Sequence, residues 1–448
     1  MSDATPQARP YLPRTARFRD GADTPRAFLE ECLDAVARLE PTVGAFTVIE
    51  AGAARRAADA ATARWRDNRP LSPVDGMPVG VKDIIDTADM DTAMGSALFA
   101  GHRPRFDAAS VQGLRESGCV VLGKTVTTEF ASTEPRGTRN PWDTSRTPGG
   151  SSSGSAAAVA AGMVAAALGT QVVGSILRPS GYCGVHGFKP GVGGINRGGS
   201  LDFLSQSTTG PIAASLADTW AVAAAVAGRV GGDPGYPGLV GPETLPSPVA
   251  PRRLALLQGP GWSVVEDAAR EALEDALRRL RDAGVTVITA EASPELRALE
   301  DALAGTMEIV TGINAWEWRW PLNSFLARDA AAVSEAARRR AAMANAMTQR
   351  DYAALLRRRD EARAAHARLS GQCDALVSIT APGAAPVGLQ STGNPVFAAP
   401  SSMLGAPALA LPLLRAEGLP LGFQLVGFRD GDAELFALAN GVEAILGA

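Results

Sequence analysis

Apolar residues recur at helical spacing between residues 24 and 66, where Phe28, Cys32, Val36 and Leu39 mark one face. Thr24-Pro25 supplies a cap and a first-turn proline, and residues 51–65 follow the short apolar run 46–49 as a second helix. After the turn signal Asp75-Gly76, the run 79–85 reads as a buried strand with a lysine, Lys82, in its middle. Residues 108–117 predict a helix and 119–125 a strand. The run 156–168 is small, apolar and nearly free of polar atoms, so it predicts a buried helix between two Gly/Ser loops. Downstream, 191–199 is a glycine-rich loop, 216–228 a helix, and 231–251 a Gly/Pro-rich linker. Strands are expected at 253–257, 285–289, 375–379, 408–411 and 421–426, with helices at 264–283, across 294–370, and from Asp432 onward. Strands alternating with helices predict an α/β fold with a largely parallel sheet covered on both faces.

Length and composition narrow the class. A chain of 448 residues allows two or three domains or one large α/β unit. Hydrophobic residues at 46 % against 20 % charged ones provide for a sizeable core. A net charge of −4 and a pI near 5.6 exclude a general nucleic-acid binder. The one long apolar run is interrupted by glycine and poor in Leu and Ile, which makes it core, not a membrane span. The first twenty residues lack an apolar signal region, so a cytoplasmic protein is expected. Cys32, Cys119, Cys183 and Cys373 are far apart and form neither a zinc pattern nor a disulfide framework.

One bias is useful. Among 43 basic residues only Lys82, Lys124 and Lys189 are lysines. In an arginine-rich chain the surviving lysines mark places where a guanidinium cannot substitute, and a desolvated lysine, unlike arginine, can lose its proton and act as a base.

Two motif matches mislead. Residues 118–125, GCVVLGKT, satisfy the phosphate-loop pattern, but its variable positions fall on the strand itself instead of the loop after one. Residues 150–154, GSSSG, match the nucleophile elbow of α/β-hydrolases, yet no strand precedes them, and His102, His186 and His366 are the only histidines. A lysine base fits better. Buried beside Val79, Val81 and Ile84, Lys82 would be neutral near pH 7, and a serine of the first loop could relay a proton to Ser175 in the second. The N–H groups leading into Ser175 could line an oxyanion hole, an arrangement that suits acyl transfer from an amide.

The chain resembles the amidase signature family. The resemblance is carried by GGSSSGS at 149–155, GMPVGVKD at 76–83, GTRNP at 137–141, the G-F-K-P ending at 187–190, TTGP at 208–211, and GAPALALP and LPLGFQLVG near the C-terminus. It covers nearly the whole chain and implies the amidase signature fold, a large mixed, mostly parallel β-sheet covered by helices, as one domain over 1–448. Within it the parts would be an N-terminal helical region (1–70), a signature core (71–230), a linker (231–251), and a second part of the sheet (252–448) with a helical cap (294–370). The resemblance assigns the base to Lys82, the relay, on a cis peptide bond, to Ser151, and the nucleophile to Ser175. It places the oxyanion N–H groups on Val172, Val173, Gly174 and Ser175.

Four departures stand out. Gln171 replaces the commoner Asp of this loop, and Arg178 lies three residues beyond the nucleophile, a pattern that resembles malonamidase-type members in which the arginine binds a substrate carboxylate. Val173 puts a branched side chain beside Ser175, strained if the loop needs positive φ there, and Ser207 stands where many members have Asp. Thr170, Arg178 and Tyr182, with Met307 and the tryptophans 316, 318 and 320, are pocket candidates. The expectation is a metal-free, cofactor-free hydrolase cleaving a C–N bond of a small-molecule amide or carbamate (urethane), with no nucleic-acid or membrane partner, and a homodimer by resemblance. The alternatives are an amidotransferase A-like protein that works with a partner, or an esterase on the same machinery.

Overall fold

Eleven strands form one sheet: β1 (Phe46–Ile49), β2 (Pro78–Lys82), β3 (Val120–Thr125), β4 (Ala166–Gln171), β5 (His186–Lys189), β6 (Thr208–Ala213), β7 (Arg253–Leu256), β8 (Thr286–Ile288), β9 (Ala375–Ile379), β10 (Ala408–Ala416) and β11 (Leu419–Val426). Their order across the sheet is β1-β3-β2-β4-β6-β5-β10-β11-β9-β7-β8. The computed structural model describes residues 6–132 and 134–447. β5 pairs with β10, so the sheet continues across the 231–251 segment into the C-terminal half.

The sheet is mixed, with a smaller parallel share than the alternating pattern predicts. β2 runs parallel to β3 and β4, and β7 to β8 and β9. The other six adjacencies are antiparallel. The clearest cause is local: β10 and β11 are joined through Glu417 (φ 54°) and Gly418 (φ 77°), a two-residue turn that only an antiparallel pair can use.

Strands β2 to β6 are buried throughout, so none shows the alternation of a strand with one face in water, and the polar residues at their ends are buried too. On one side Val120 and Leu122 pack with the helices Pro25–Val43, Ala51–Arg66 and Ser153–Ala160; on the other Val79, Val81 and Val121 join the cluster of helix Leu216–Val230. The long helix expected at 156–168 is a helix and a strand. Helix Ser153–Ala160 stops at Gly162, whose φ of 67° favours glycine, and the chain returns as β4. β2 ends at Lys82, so the lysine stands at a strand terminus; Asp83 to Ile85 form a turn. The segment 294–370 is helical, as Pro294–Leu303, Thr306–Asp329, Glu335–Ala346 and Gln349–Ala367. Residues 239–252 form no helix or strand.

All three lysines have zero exposure. Lys124 donates to Ile85 O (2.9 Å) and Thr92 Oγ1 (2.6 Å) and lies 3.5 Å from Asp83 Oδ1, which ties down the turn after Lys82. The GCVVLGKT string is therefore strand and brace: a Cβ on Gly123 would lie 2.1 Å from Val48 O, where β1 approaches β3.

Candidate active site

The parallel pairing of β2 with β3 and β4 brings the ends of β2 and β4 together, and the loop entering helix Ser153–Ala160 lies over them. Lys82 Nζ donates to Ser151 Oγ (2.7 Å) and Thr170 Oγ1 (2.8 Å), with Thr170 O at 3.4 Å. Burial pushes the lysine down to about 7, opposed by the nearby Asp202 carboxylate. At neutral pH such an amine is part base and part ammonium.

The loop and the first turn of the helix contain four serines, and geometry separates them. Ser152 Oγ accepts from Thr170 N (3.3 Å) and donates to Thr170 O. Ser153 Oγ donates to Val126 O (3.2 Å). Ser155 Oγ donates to Leu168 O (3.0 Å) and shares a hydrogen bond with Thr125 Oγ1. Ser151 alone meets Lys82, on the Gly150–Ser151 peptide bond, which is cis. The Ser152 N–H reaches Ser175 O (3.4 Å), so the second loop passes one residue from Ser151.

Ser175 is half-buried. Its loop is held from below by a residue that propensity does not reveal. Gln171 Oε1 accepts from the N–H groups of Ile176 (2.9 Å) and Leu177 (3.0 Å), while Gln171 Nε2 donates to Ser402 Oγ (3.0 Å). Ser402 in turn donates to Val173 O (2.9 Å). The N–H groups of Val172, Val173, Gly174 and Ser175 have no acceptor among the described residues, four consecutive backbone donors. Val173 is not in the positive-φ region, so the strain expected of a positive-φ valine does not arise, and it packs against the core cluster that includes Leu177 and Met403. Gly174 is closely packed: a Cβ there would sit 3.0 Å from Pro395 Cβ and 3.1 Å from Ala398 Cβ.

Arg178 is 4 % exposed and donates to Gly150 O (2.6 Å) and Thr392 Oγ1 (2.9 Å). Among the described residues its Nε has no partner and no carboxylate pairs with it. Burial pulls this guanidinium down to about 10, with the neighbouring Tyr182 opposing. Tyr182 is buried in the same wall, facing Gly393, and burial raises its phenol to about 12. Thr170, expected at the pocket, is engaged with Lys82 instead. The tryptophans diverge: Trp318 is buried against Phe130, Trp316 stacks on Tyr352, and Trp320 is 79 % exposed. Ser207 bonds Asp202 O and receives a hydrogen bond from Arg197, whose partner is Asp233. No histidine serves the serines: His186 pairs with Glu443, His366 stacks on Phe428, and His102 is exposed beside Phe99.

A family model described as Amidase matches residues 27–436. The chain belongs to the amidase family. It is a hydrolase of carbon–nitrogen bonds, and its sheet is the amidase signature fold. Similar proteins include the A subunit of the glutamyl-tRNA(Gln) amidotransferase of Chloroflexus aggregans, 33 % identical over 93 % of this chain and 92 % of that one. Among solved structures, one described as an amidase superposes with a TM-score of 0.85 at 28 % identity, covering 98 % of this chain and 100 % of the other. The native peptide amidase of Stenotrophomonas maltophilia gives 0.76 at 28 % identity, covering 97 % and 96 %. This amidase has no helix among its described residues long and apolar enough to cross a membrane.

Proposed function

We propose that this amidase is a serine amidohydrolase that opens a small-molecule amide or carbamate through an acyl-enzyme on Ser175. The observation that carries the reading is the 2.7 Å contact between a buried lysine, lowered to about 7, and Ser151. Neutral Lys82 draws the Ser151 proton as Ser151 takes that of Ser175, whose oxygen attacks the carbonyl carbon. The oxyanion forms against the free N–H groups of 172–175. Protonated Lys82 then returns the proton through Ser151 to the leaving amine, and water repeats the sequence to release the acid and Ser175. Arg178, a buried cation without a carboxylate partner among the described residues, favours substrates whose acyl part carries an anionic group.

Labelling with a serine-reactive fluorophosphonate, mapped by peptide mass spectrometry, tests this. Label on Ser175 that disappears in Lys82→Ala is the expected result; label independent of Lys82 refutes the relay. A second reading, a protein that works only within a complex, draws on the amidotransferase relatives. Amide hydrolysis by the purified chain alone would exclude it.

A further inference from the structure

Asp202 is 1 % exposed and has a carboxylate oxygen, Oδ2, with no hydrogen-bond partner among the described residues, while Oδ1 accepts from Ser200 Oγ (2.8 Å). A buried carboxylate with a bare oxygen is costly unless an opposite charge compensates it. The segment that carries it is laid against the turn after Lys82. Leu201 N donates to Ile84 O (3.0 Å), Asp86 N donates to Gly199 O (3.0 Å), and Ile85 and Ser200 form an isolated bridge. Ser205 at the far end is clamped by Glu317, which also receives the Tyr352 hydroxyl (2.8 Å), and by Arg359 (2.7 Å). The loop is thus fixed at both ends.

Asp83, Lys124 and Arg197 are each committed to a partner. Asp83 pairs with Lys124, which sits one register position from Lys82 on the neighbouring strand and so faces the other side of the sheet. Asp86 lies on the same turn and is felt by Lys124 and His102. Arg197 is paired with Asp233 and spends another nitrogen on Leu204 O (2.6 Å). Asp202 is the carboxylate whose charge acts on Lys82.

We propose that Asp202 is the counter-charge of the Lys82 ammonium, a positioning residue that favours the protonated lysine formed after the nucleophile has been deprotonated. This rests on the role given to Lys82 above. It does not touch the reacting atoms; it acts by making proton uptake by a buried amine less costly. Two consequences follow. Without the Asp202 charge, Lys82 loses its proton at lower pH, so the acidic limb of kcat/KM moves down the pH scale. The lysine is also a weaker proton acceptor there, so the plateau kcat falls.

The experiment uses the small number of lysines. In the full-length protein labelled with 13Cε-lysine, three signals report three ionisations, and loss of a signal in Lys82→Ala assigns the one of interest. Asp202→Asn is expected to lower the Lys82 midpoint by about half a pH unit or more and leave the Lys124 and Lys189 signals unmoved, with Asp202→Glu restoring the midpoint. The acidic limb of kcat/KM should move by the same amount, with plateau kcat about three- to tenfold lower. Should Asp202→Asn fold poorly, Asp202→Ser, which removes the same charge and keeps a small polar group beside Ser200, is expected to give a shift of the same sign. An unmoved Lys82 midpoint in folded Asp202→Asn overturns the proposal. A midpoint that moves in a protein with no amidase activity leaves Asp202 as the counter-charge and refutes the catalytic reading instead.

Discussion

Replacing Lys82 with methionine should stabilise the fold at neutral pH while ending catalysis. Lys82 is fully buried and held near 7, against 10.5 for the free side chain. At pH 7 the unfolded chain holds this proton almost completely and the native state about half of it, which costs the native state about 4 kcal/mol. Stability rises with pH wherever the unfolded state binds more protons, so the cost shrinks between pH 7 and 10.5 and is under about 1 kcal/mol at pH 10. Methionine fills a similar volume without charge but gives up the hydrogen bonds to Ser151 Oγ and Thr170 Oγ1, about 1 kcal/mol each. Lys82→Met is then about 2 kcal/mol more stable than the parent at pH 7 and about 1 kcal/mol less stable at pH 10. Lys124 and Lys189 are common to both proteins and cancel in the difference. Urea unfolding of both at the two pH values, with equal m-values, reads the crossing directly. A difference of the same sign and size at both pH values would refute the argument that burial of the amine sets its ionisation.

Three further outcomes test the rest of the site. Ser402→Ala removes the group that joins Gln171 to Val173 O, and steady-state kinetics should show kcat about tenfold lower with KM changed less than about twofold; an unchanged kcat would show that the loop holds itself. Arg178→Gln should lower kcat/KM by about 10- to 100-fold for an amide bearing a carboxylate and barely affect a neutral one, whereas equal losses would mean that Arg178 only supports Gly150 and Thr392. Gly154→Ala would place a Cβ 2.1 Å from Ala45 O and 2.3 Å from Val126 N, so urea unfolding should show a loss of about 2 kcal/mol or more.

Elements whose signal is periodic or capped were legible. The cap at Thr24 bonds Ala27 N, and helix Pro25–Val43 starts where the pattern placed it. Strand Ala375–Ile379 matches its expected bounds. Legibility failed where tertiary contact, not propensity, decides. β4 is alanine-rich and pairs on both sides, so nothing local distinguishes it from the helix before it. β6 carries Gly210-Pro211, ordinarily turn residues, but glycine is needed there because a Cβ would lie 2.1 Å from Phe188 O on β5. At the site, Lys82 and the two loops were visible from residue type and spacing. The selection of Ser151 among four serines came in the sequence from family resemblance; in the structure it follows from which hydroxyls are already engaged. The Gln171–Ser402 brace joins residues 231 positions apart and has no local signal.

Burial of every lysine gives this amidase a surface free of lysine ε-amines. Reagents that couple to lysine, such as activated esters, aldehydes and isocyanates, ordinarily coat a protein's exterior long before they enter it. Here the exterior offers them no lysine, and each of the three targets lies inside. Mass-spectrometric mapping of the Lys82 adduct of a small reagent of that kind, protected against by a competing amide, would therefore measure entry to Lys82 without a background of surface-lysine coupling.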